Sequence, residues 1–594
     1  MFISIRHLSQ RLIRLWRIPL AIRLLLLVLF FHLVGNVVWI ALNQSPPSWD
    51  EANHIRRSVQ YTYFIQDLLA GKPDWGMAWD SFQDGYGPLV RIITGIFMLF
   101  AGVGVVQTQI VSTLFFLATI VAVYLLAREI ANSETENWRR HLFCAVNGVL
   151  PRGTSQAKHG VETQQHFPST IIAISTALVF SFYQLIYAHS RWLLLDIPVT
   201  LFTTLSYLFL IKSGWGCKRK ETILAGVLAA CAMLTKAQAV VYFVIPALYV
   251  VVRIANGEWR IRLLNLAISL IVCLLLFSLW ALPNLTHMYE YVKAGATIRL
   301  NHPDDLRSIT TWTFYLKLII NNITTLWGFL LWIPACFIFL RKHKKHTLFI
   351  ISVVIGYYLW FSLISNKDLR FIYPIFPMFA YIGAYGWARI LIYLHDKRKA
   401  VWMGVAIATL LVFLVFQITM YTVLSFGWPF PKNITSYVLV PGIDDITVLN
   451  TASDYPVKAY GADKWPVQEL AQDLKDYFAD KPFTYVFLVP NFEYFNNNTI
   501  TLELTRIRAQ NVVLMGGINK QSFENPRELD DFVKQYAHFI YVEGEFGPYF
   551  QWDRAFYAQV QQYVADIYSL GRSKTHKSYQ LPNGQIVHWF IIDP

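Results

Sequence analysis

Two neighbouring carboxylates, Asp50 and Glu51, follow the first strongly apolar segment of the chain, in the stretch "NQSPPSWDEANHIRRSVQY". If residues 48–62 form a helix, steps of four, three and four residues place one set of side chains on the same face: Asp50, His54, Arg57 and Tyr61. Glu51 then points about 100° away from that face. The pattern therefore predicts different roles, with Asp50 facing a site and Glu51 pairing or capping locally.

Ser48 offers a structural explanation for Glu51. With Ser48 as the N-cap of this helix, Glu51 occupies position N3. The two residues then form a capping box, in which the glutamate accepts a hydrogen bond from the Ser48 N–H. The capping box accounts for Glu51 and leaves Asp50 unexplained.

A second charged pair lies in "HSRWLLLDIPVT", residues 189–200. Arg191 precedes Asp196 by five residues within otherwise apolar sequence, which marks the junction of two apolar segments. Ionisable side chains at such a junction are functional candidates, because charge is costly near hydrocarbon. Asp196 also fits an ordinary acidic helix start before Pro198, so both interpretations stay open.

A third stretch, "ISNKDLRFIYPIFP" at residues 364–377, carries two cations at the mouth of an apolar run. Lys367 and Arg370 suit an anionic headgroup, above all a phosphate, which an arginine can grip with paired donors. The alternative is a simple interfacial anchor. The stretch therefore predicts phosphate recognition at the edge of a membrane.

The composition places these residues in a membrane protein. Of 594 residues, 55% are hydrophobic and only 15% are charged, and the mean hydropathy is +0.39. A soluble protein of this length needs more charge to cover its surface. The net charge of +14 comes from short basic clusters between apolar runs, which is typical of cytoplasmic loops, so no nucleic-acid partner is predicted.

Apolar runs of sufficient length predict about eleven transmembrane helices. Their windows are 21–42, 106–128, 170–188, 195–212, 222–236, 238–254, 263–282, 322–340, 347–364, 372–394 and 400–424. The first run is too long for a cleavable signal, so we expect it to be retained. Segment 88–104 is also apolar, and counting it as a span would invert every later loop.

The positive-inside rule decides the orientation. With the amino terminus inside, every cytoplasmic segment is basic: 1–20, 129–169, 213–221, 255–262, 341–346 and 395–399. Segment 88–104 is therefore predicted to lie at the interface, with loop 43–105 outside. Ionisable residues then collect near the exterior span ends: Asp50, Glu51, Asp80, Asp84, Arg191, Asp196, Lys236, His287, His302, Asp304, Asp305, Lys367, Asp368 and Arg370. For any one of them, a polar loop end is the simpler explanation.

The tail after about residue 425 has a different character. It contains short β-rich runs, "DITVLN", "FTYVFLVP", "NVVLMGG" and "HFIYVEG", separated by helix-like stretches such as "WPVQELAQDLKDYFAD" and "NPRELDDFVKQYA". Alternating strands and helices predict a small α/β domain. The predicted division is therefore a transmembrane domain at 1–424 and an extracytoplasmic α/β domain at 425–594. No glycine-rich G-x-G-x-x-G motif supports nucleotide binding there.

Five stretches, taken in order, resemble the motifs of one family. Segment 50–71, "DEANHIRRSVQYTYFIQDLLAG", resembles the Asp-Glu loop motif of the protein O-mannosyltransferase superfamily, which also contains the lipid A aminoarabinose transferases. Four further stretches are similar to later motifs of that superfamily: "GYGPLV" (85–90), "SRWLLLDIPV" (190–199), "GVLAACAMLTKAQA" (226–239) and "NKDLRFIYPIFP" (366–377). The resemblance covers roughly residues 20–395, although Gly87 stands where the family usually has a proline.

The resemblance implies a membrane-embedded glycosyltransferase of the GT-C type, whose donor is a sugar on a polyprenyl phosphate. It implies one inverting displacement at the sugar C1, with Asp50 as general base and with Glu51 and Asp196 ordering the site or the acceptor. The implied ligands of the donor phosphate are Arg370, Lys367, Lys236 and Arg191. The implied contacts to substrate are His54, Arg57, Asp84, Tyr86 and His287.

The expected partners are the polyprenyl-linked donor, membrane lipids and an acceptor that is a glycolipid, a protein or a polysaccharide. No cofactor is required by this prediction. A divalent ion near the carboxylates and a histidine such as His287 stays open, but no H-x-x-x-H or comparable ligand spacing supports it. The expected location is a bacterial inner membrane. Two rival functions stay open, a flippase for polyprenyl-linked glycans and a non-catalytic envelope assembly protein. A flippase needs charge near the bilayer midplane, whereas a scaffold leaves the exterior charges without a role.

Overall fold

The structure, a computed structural model, describes residues 19–146, 157–254, 259–297, 307–364, 367–428, 435–440, 444–450, 465–481, 483–516, 526–534, 536–547, 551–570 and 573–592. Up to Phe426 the described residues are mostly helical. The α-helices are α1 (Leu20–Leu42), α2 (Trp49–Leu69), α3 (Trp75–Phe82), α4 (Leu89–Ala101), α5 (Val105–Val146), α6 (Ala157–Ser181), α7 (Gln184–His189), α8 (Asp196–Lys212), α9 (Arg219–Thr235), α10 (Val244–Ile254), α11 (Trp259–Ala281), α12 (Leu285–Thr297), α13 (Ile309–Leu318), α14 (Thr325–Lys342), α15 (Thr347–Leu363), α16 (Phe376–Asp396) and α17 (Ala400–Phe426). Segments of other helical geometry join them: a 3₁₀ helix at Ala237–Phe243, a π-helix at Ile319–Thr324 and a 3₁₀ helix at Leu369–Ile375.

Within the described residues, six helical segments are long and apolar enough to cross a membrane: Leu20–Leu42, Val105–Glu134, Trp259–Ala281, Ile309–Lys342, Leu369–Asp396 and Ala400–Phe426. Many of their apolar side chains face outward. Leu27, Leu279 and Val412 are 62%, 72% and 70% exposed. Helices with such apolar outer surfaces are stable against lipid rather than water. The chain is therefore a multi-pass helical membrane protein.

All eleven predicted windows fall mainly on helical residues, but not every window is one long helix. Helices α8 and α9 have 17 residues each. The window 170–188 is divided between α6 and α7, because the chain turns at Phe182 and takes an extended conformation at Tyr183. The number of eleven membrane crossings therefore stays a prediction.

Segment 88–104 contains α4, which has 13 residues. At 1.5 Å per residue, α4 is about 20 Å long, shorter than the roughly 30 Å hydrocarbon core of a bilayer. The helix packs closely along α2, since the Thr62 hydroxyl donates to the Gly95 carbonyl at 3.0 Å. A Cβ at Gly95 would lie 2.9 Å from the Ser58 carbonyl oxygen. The length fits the predicted interfacial helix, and the contact ties α4 to the helix that carries Asp50.

After α17, which ends at a left-handed Gly427, strands appear. Strands β1 (Thr435–Val440) and β2 (Asp444–Asn450) form an antiparallel hairpin. The other described strands form one mixed sheet in the order β4–β3–β5–β7–β6: β3 (Thr484–Leu488), β4 (Val512–Met515), β5 (His538–Val542), β6 (Ser573–Gln580) and β7 (Ile586–Ile592). Between strands lie α18 (Val467–Tyr477), α19 (Asn497–Arg506), α20 (Pro526–Lys534) and α21 (Gln551–Ser569). This is the α/β architecture that the tail pattern predicts, while the division at 424/425 stays a prediction.

Each strand or helix named from the tail sequence forms the expected element, namely β2, β3, β4, β5, α18 and α20. Successive side chains of a strand point to opposite faces of a sheet. In β3, Val486 and Leu488 enter one hydrophobic core, while Phe487 enters the core on the other face. Helices cover both faces, which explains why the consecutive apolar residues Val486, Phe487 and Leu488 are all buried.

Candidate active site

The helix that aligns Asp50 with His54, Arg57 and Tyr61 is present as α2. The aligned side chains make successive contacts along α2: Asp50 Oδ2 with Arg370 Nη1 at 2.9 Å, His54 Nδ1 with Arg91 Nη2 at 2.9 Å, Arg57 Nη1 with Asp80 Oδ2 at 2.8 Å, and the Tyr61 hydroxyl with the Ser81 carbonyl at 3.2 Å. The face that carries Asp50 is therefore a row of polar and charged contacts.

Arg370 joins two aspartates from distant parts of the chain. Its Nη1 contacts Asp50, and its Nε and Nη2 donate to Asp368 Oδ2 at 2.9 and 2.6 Å. Asp368 is also the N-cap of the 3₁₀ helix, where its Oδ1 accepts from the Arg370 backbone N–H at 2.8 Å. Burial alone raises the pKa of Asp368, but Arg370 brings it down to about 2. An ionised Asp368 thus fixes Arg370 locally, and the Asp50 contact links Arg370 to α2.

Asp196 and Lys236 form a buried ion pair beside Arg370 and Asp368, since the charge of Asp196 acts on Arg370 and the charge of Lys236 acts on Asp368. Asp196 is the first residue of α8, Lys236 follows the last residue of α9, and Lys236 Nζ lies 2.9 Å from Asp196 Oδ1. Lys236 Nζ also lies 5.1 Å from the centre of the Phe371 ring. Removing one partner of such a pair leaves an uncompensated buried charge. Asp196 is therefore both an acidic helix start and the residue that holds Lys236 in place.

A second group of charges lies further along α2. Arg91 Nη1 is 2.6 Å from Asp84 Oδ2, and Arg91 Nη2 is 2.9 Å from His54 Nδ1. Because a guanidinium can only donate, His54 accepts at Nδ1 and carries its proton at Nε2. Burial, followed by Arg91, lowers the pKa of His54 well below its usual value, so the ring is neutral. Tyr86 packs edge-on against His54, with ring centres 5.2 Å apart.

These residues form one charged cluster: Asp50, His54, Asp84, Arg91, His189, Asp196, Lys236, Asp368 and Arg370. Electrostatic interactions connect its parts, since the charge of Arg370 acts on both His54 and His189. Burial and then Arg370 lower the pKa of His189 to about 4. The Nδ1 atom of His189 lies 2.7 Å from the Tyr373 hydroxyl. The cluster therefore combines carboxylates and cations with two neutral histidines.

Gly87 explains how a loop reaches this cluster. A Cβ at Gly87 would lie 1.9 Å from the Leu234 carbonyl oxygen, a distance that real Cβ atoms do not adopt. Only a glycine lets the loop backbone pack this closely on the end of α9, two residues before Lys236. The departure from the family's proline at this position is therefore a consequence of close backbone packing.

Glu51 points away from the cluster and is only 4% exposed. Its Oε1 accepts from the Leu193 N–H at a long 3.4 Å, and its carboxylate also accepts from the Ser48 N–H. Burial raises the pKa of Glu51 to about 8, although these two backbone donors oppose the shift and Glu493 adds to it. The Ser48 side chain makes no capping bond, so half of the predicted capping box is present. Glu51 therefore ties the start of α2 to the loop before α8.

Comparisons with known proteins agree with the architecture. A family model described as "Dolichyl-phosphate-mannose-protein mannosyltransferase" matches residues 164–291. The crystal structure of ArnT from Cupriavidus metallidurans bound to undecaprenyl phosphate aligns with a TM-score of 0.54 at 14% identity, covering 95% of this chain and 97% of that one. The apo structure of ArnT from the same organism gives 0.54 at 15% identity, covering 96% and 98%. This chain has an ArnT-like fold.

The GT-C fold expected from the five motifs is thereby confirmed. The matching family model is described as a mannosyltransferase and supports an enzyme of the transferase class, whereas the two ArnT structures, at 14% and 15% identity, show the fold alone. The family match contains Asp196 and Lys236, whereas Asp50 and Arg370 lie outside it. None of the curated proteins compared with this chain matches it by sequence.

Three residues that were expected to bind the phosphate or the substrate are not among the residues of the charged cluster: Lys367, Arg191 and His287. Lys367 is 3% exposed, and its Nζ donates to the carbonyls of Ser362 at 2.9 Å and Thr311 at 3.3 Å. Arg191 is fully buried. His287 lies exposed on α12. Roles for these three residues in substrate binding stay predictions.

Sequence reasoning missed Arg91 and His189 and named Asp368 and Asp80 only as exterior charges. The signal for Arg91 was an arginine inside the apolar run "PLVRIITGIF", where a charge without a partner is costly. The exterior candidates His302, Asp304 and Asp305 lie outside the described residues. Among the residues that the structure describes, no group of three or more His, Cys, Asp or Glu side chains is arranged to hold a metal ion.

Proposed function

We propose that this chain transfers a sugar from a polyprenyl-phosphate donor to an acceptor hydroxyl at the exterior face of a membrane, with inversion at C1. The observation that carries the proposal is the contact of Arg370 with both Asp368 and Asp50, which joins a phosphate-binding side chain to a candidate base. The matching family model is described as a dolichyl-phosphate-mannose-protein mannosyltransferase, and the chain shares its fold with an ArnT structure bound to undecaprenyl phosphate. Both findings support a polyprenyl donor.

Donor binding involves an exchange of partners at Arg370. The side chain of Asp50 is 48% exposed, whereas that of Asp368 is 23% exposed and bonded to Arg370 through two nitrogens. An arriving phosphate therefore competes more readily for the Arg370 donors that face Asp50. Asp368 keeps the guanidinium in place during the exchange. The exchange also leaves the Asp50 carboxylate free to accept a proton.

The reaction then needs one base and one stabilised leaving group. Asp50 takes the proton of the acceptor hydroxyl while that oxygen attacks C1 of the sugar. The bond from C1 to the phosphate oxygen breaks, and its electron pair leaves with the polyprenyl phosphate. Arg370 stabilises the negative charge that develops on that oxygen, and Lys236, held by Asp196, adds a second positive charge nearby. The products are an inverted glycoside, a protonated Asp50 and free polyprenyl phosphate.

The cluster consists of residues from helix ends and adjoining loops, which favours chemistry at the membrane edge over passage through it. Asp50 lies in the first turn of α2, Asp196 begins α8, and Lys236 follows α9. A flippase would instead need charged groups near the bilayer midplane. A transfer assay with separate acceptor fractions decides whether the acceptor is a glycolipid, a protein or a polysaccharide.

The test is a transfer assay with purified protein, a radiolabelled polyprenyl-phosphate sugar and separate acceptor fractions from the cell envelope. We expect label in one fraction and an equal amount of released polyprenyl phosphate. Mass spectrometry of envelope glycolipids and glycoproteins, with and without the protein, identifies the product in cells. Movement of intact labelled lipid across a vesicle bilayer, with no release of polyprenyl phosphate, would instead identify a flippase.

We also propose that the protein lies in a bacterial inner membrane with its amino terminus inside and its α/β part outside. Lys72, Asn583 and Lys344 are exposed in the structure, and the basic-loop pattern assigns the first two to the exterior and the third to the interior. Cysteines placed at Lys72 and Asn583 should react with an impermeant thiol reagent in intact cells, and one at Lys344 should not. Labelling at Lys344 but not at Lys72 would reverse the orientation.

A further inference from the structure

The C-terminal α/β part contacts α2 at its first turn, where the candidate base lies. The Thr499 hydroxyl donates to the Pro47 carbonyl at 3.1 Å, and Asn498 Nδ2 donates to the Trp49 carbonyl at 3.0 Å. In return, the Trp49 indole N–H donates to Asn491 Oδ1 at 3.1 Å. Hydrogen bonds from one short segment therefore hold the backbone on both sides of the helix N-cap.

The segment that supplies these bonds, residues 491–499, is itself held in place. Asn496 is the N-cap of α19, where its Oδ1 accepts from the Thr499 N–H at 3.1 Å. The Asn496 Nδ2 donates to the carbonyls of Phe492 at 3.0 Å and Glu493 at 2.9 Å. The donors that reach α2 are thus oriented by hydrogen bonds within the α/β part.

A second contact fixes α2 further along its length. The Tyr63 hydroxyl donates to the Arg506 carbonyl at 2.7 Å, and the Arg508 guanidinium lies 4.1 Å from the centre of the Tyr63 ring. Trp49 and Tyr63 are about 20 Å apart along a helix that rises 1.5 Å per residue. Contacts at two separated points fix both the direction of α2 and its rotation about its axis.

The first contact matters because helix ends fray and catalytic groups tolerate little displacement. A catalytic side chain must be held within about 0.5 Å of its productive position. Asp50 is the second residue of α2, so its position depends on where the first turn begins. The Pro47 carbonyl precedes the helix and is buried, so it needs a partner from elsewhere, and Thr499, itself fully buried, provides the partner.

We infer that Asn498 and Thr499 are positioning residues for Asp50, which makes the α/β part a component of the exterior active site. The inference rests on the proposed function, in which Asp50 is the general base. The role of the two residues is to fix the carbonyls of Trp49 and Pro47, and through them the first turn of α2. Loss of one such hydrogen bond should slow the chemical step and leave donor binding at Arg370 intact.

The test uses the full-length protein and the transfer assay. Thr499→Val keeps the shape of the side chain and removes its donor, so we expect kcat to fall about threefold to tenfold with the donor KM unchanged. Asn498→Ala should act in the same direction, and Thr499→Ser should restore kcat. Thr505→Val is the matched control on α19, because the Thr505 hydroxyl bonds to the Thr501 carbonyl of its own helix. If the α19 variants fail to fold, Trp49→Phe removes the bond to Asn491 from the α2 side.

A double-mutant cycle with Asp50→Asn separates positioning from general stability. If Thr499 acts through Asp50, Thr499→Val has no further effect once the base is absent. Three results would overturn the inference. They are effects of the two substitutions on kcat that multiply in the double mutant, an unchanged kcat in Thr499→Val, and a lower kcat that follows a lower melting temperature. Full activity of Asp50→Asn would instead overturn the proposed function. The two failures are therefore distinguishable.

Discussion

Arg370 and Arg191 both stand beside apolar runs at an expected exterior span end, yet their surroundings differ. Arg370 bonds to two carboxylates, Asp50 and Asp368, and 27% of its side chain is exposed. Arg191 is fully buried and bonds to the neutral side chains of Asn36 at 3.0 Å and Ser425 at 2.8 Å. Within 5.9 Å of its guanidinium lie the centres of four aromatic rings: Trp39, Tyr187, Tyr421 and Phe426.

The difference shows what makes an arginine available to a phosphate. The partners of Arg370 are anions, and another anion can replace one of them from the open side. The partners of Arg191 include neutral oxygens and aromatic faces, which stabilise the cation inside the protein and join the first and last long helices. We therefore expect a phosphate to bind the exposed Arg370, whose partners are anions, rather than the buried Arg191.

The largest expected effect comes from removing the carboxylate that Arg370 contacts. Asp50→Asn keeps the size and polarity of the side chain but cannot take the acceptor proton. We expect the transfer rate to fall roughly 10²-fold or more, with donor binding and folding retained. The transfer assay and donor binding measure both quantities on one preparation. If Asp50→Asn transfers sugar at the wild-type rate, Asp50 is not the general base and serves only as a partner of Arg370.

The next largest effect concerns Arg370 itself. A charge-assisted contact to phosphate contributes roughly 1.5–3 kcal/mol, so Arg370→Ala should weaken donor binding about tenfold or more. Arg370→Lys should recover part of the affinity without the paired geometry. Lys72→Ala, which removes an exposed cation from the same predicted side, is the control and should bind donor normally. Equal donor affinity in all three variants would leave Arg370 as an interfacial anchor.

Local patterns allowed prediction of α2 and of much of the tail, because the side chains of a helix or strand repeat with a fixed period. The partners of those side chains depend on contacts between distant residues. Asp50 and Arg370 are separated by 320 positions, and no periodicity specifies that they meet. The family resemblance brought both residues into one expected site, but it did not include Arg91.

Helix α19 and its contact with α2 were not predicted for a related reason. Its sequence, "NNTITLELTR", has a low apolar content and several β-branched residues, which local propensity does not favour in a helix. An N-cap at Asn496 and packing against α2 favour the helix in the folded protein. Prediction from sequence therefore succeeded where the stabilising interactions are local and failed where they come from tertiary packing.

A smaller effect on activity is expected from the buried arginine. Arg191→Met removes the partner of Asn36 and Ser425, and a buried polar group without a partner costs about 1–3 kcal/mol. We expect a lower melting temperature, while the folded fraction keeps the wild-type donor KM. Thermal unfolding and donor titration on the same sample separate the two quantities. A donor KM raised as strongly as in Arg370→Ala would place Arg191 at the phosphate after all.

The smallest effect on activity is expected at Glu51, where the consequence is a pH dependence of stability. Burial raises the pKa of Glu51 to about 8 from an ordinary value of 4.5, so between these values the folded protein keeps a proton that the unfolded chain releases. The stability that the buried, protonated carboxyl contributes is complete below pH 4.5 and is lost as the pH rises through about 8. Glu51→Gln cannot ionise, and its amide oxygen can still accept from the Ser48 N–H.

Melting temperatures of wild type and Glu51→Gln, measured at about pH 6 and about pH 8, test whether the Glu51 carboxyl is held protonated in the folded protein. We expect the wild type to lose about 2 kcal/mol more stability than the variant over that interval. Parallel pH dependences would mean that the Glu51 carboxyl is not held protonated in the folded protein. Near-normal transfer by Glu51→Gln is the other expected outcome. If transfer is abolished in Glu51→Gln while Asp50→Asn remains active, the roles assigned to the two carboxylates must be exchanged.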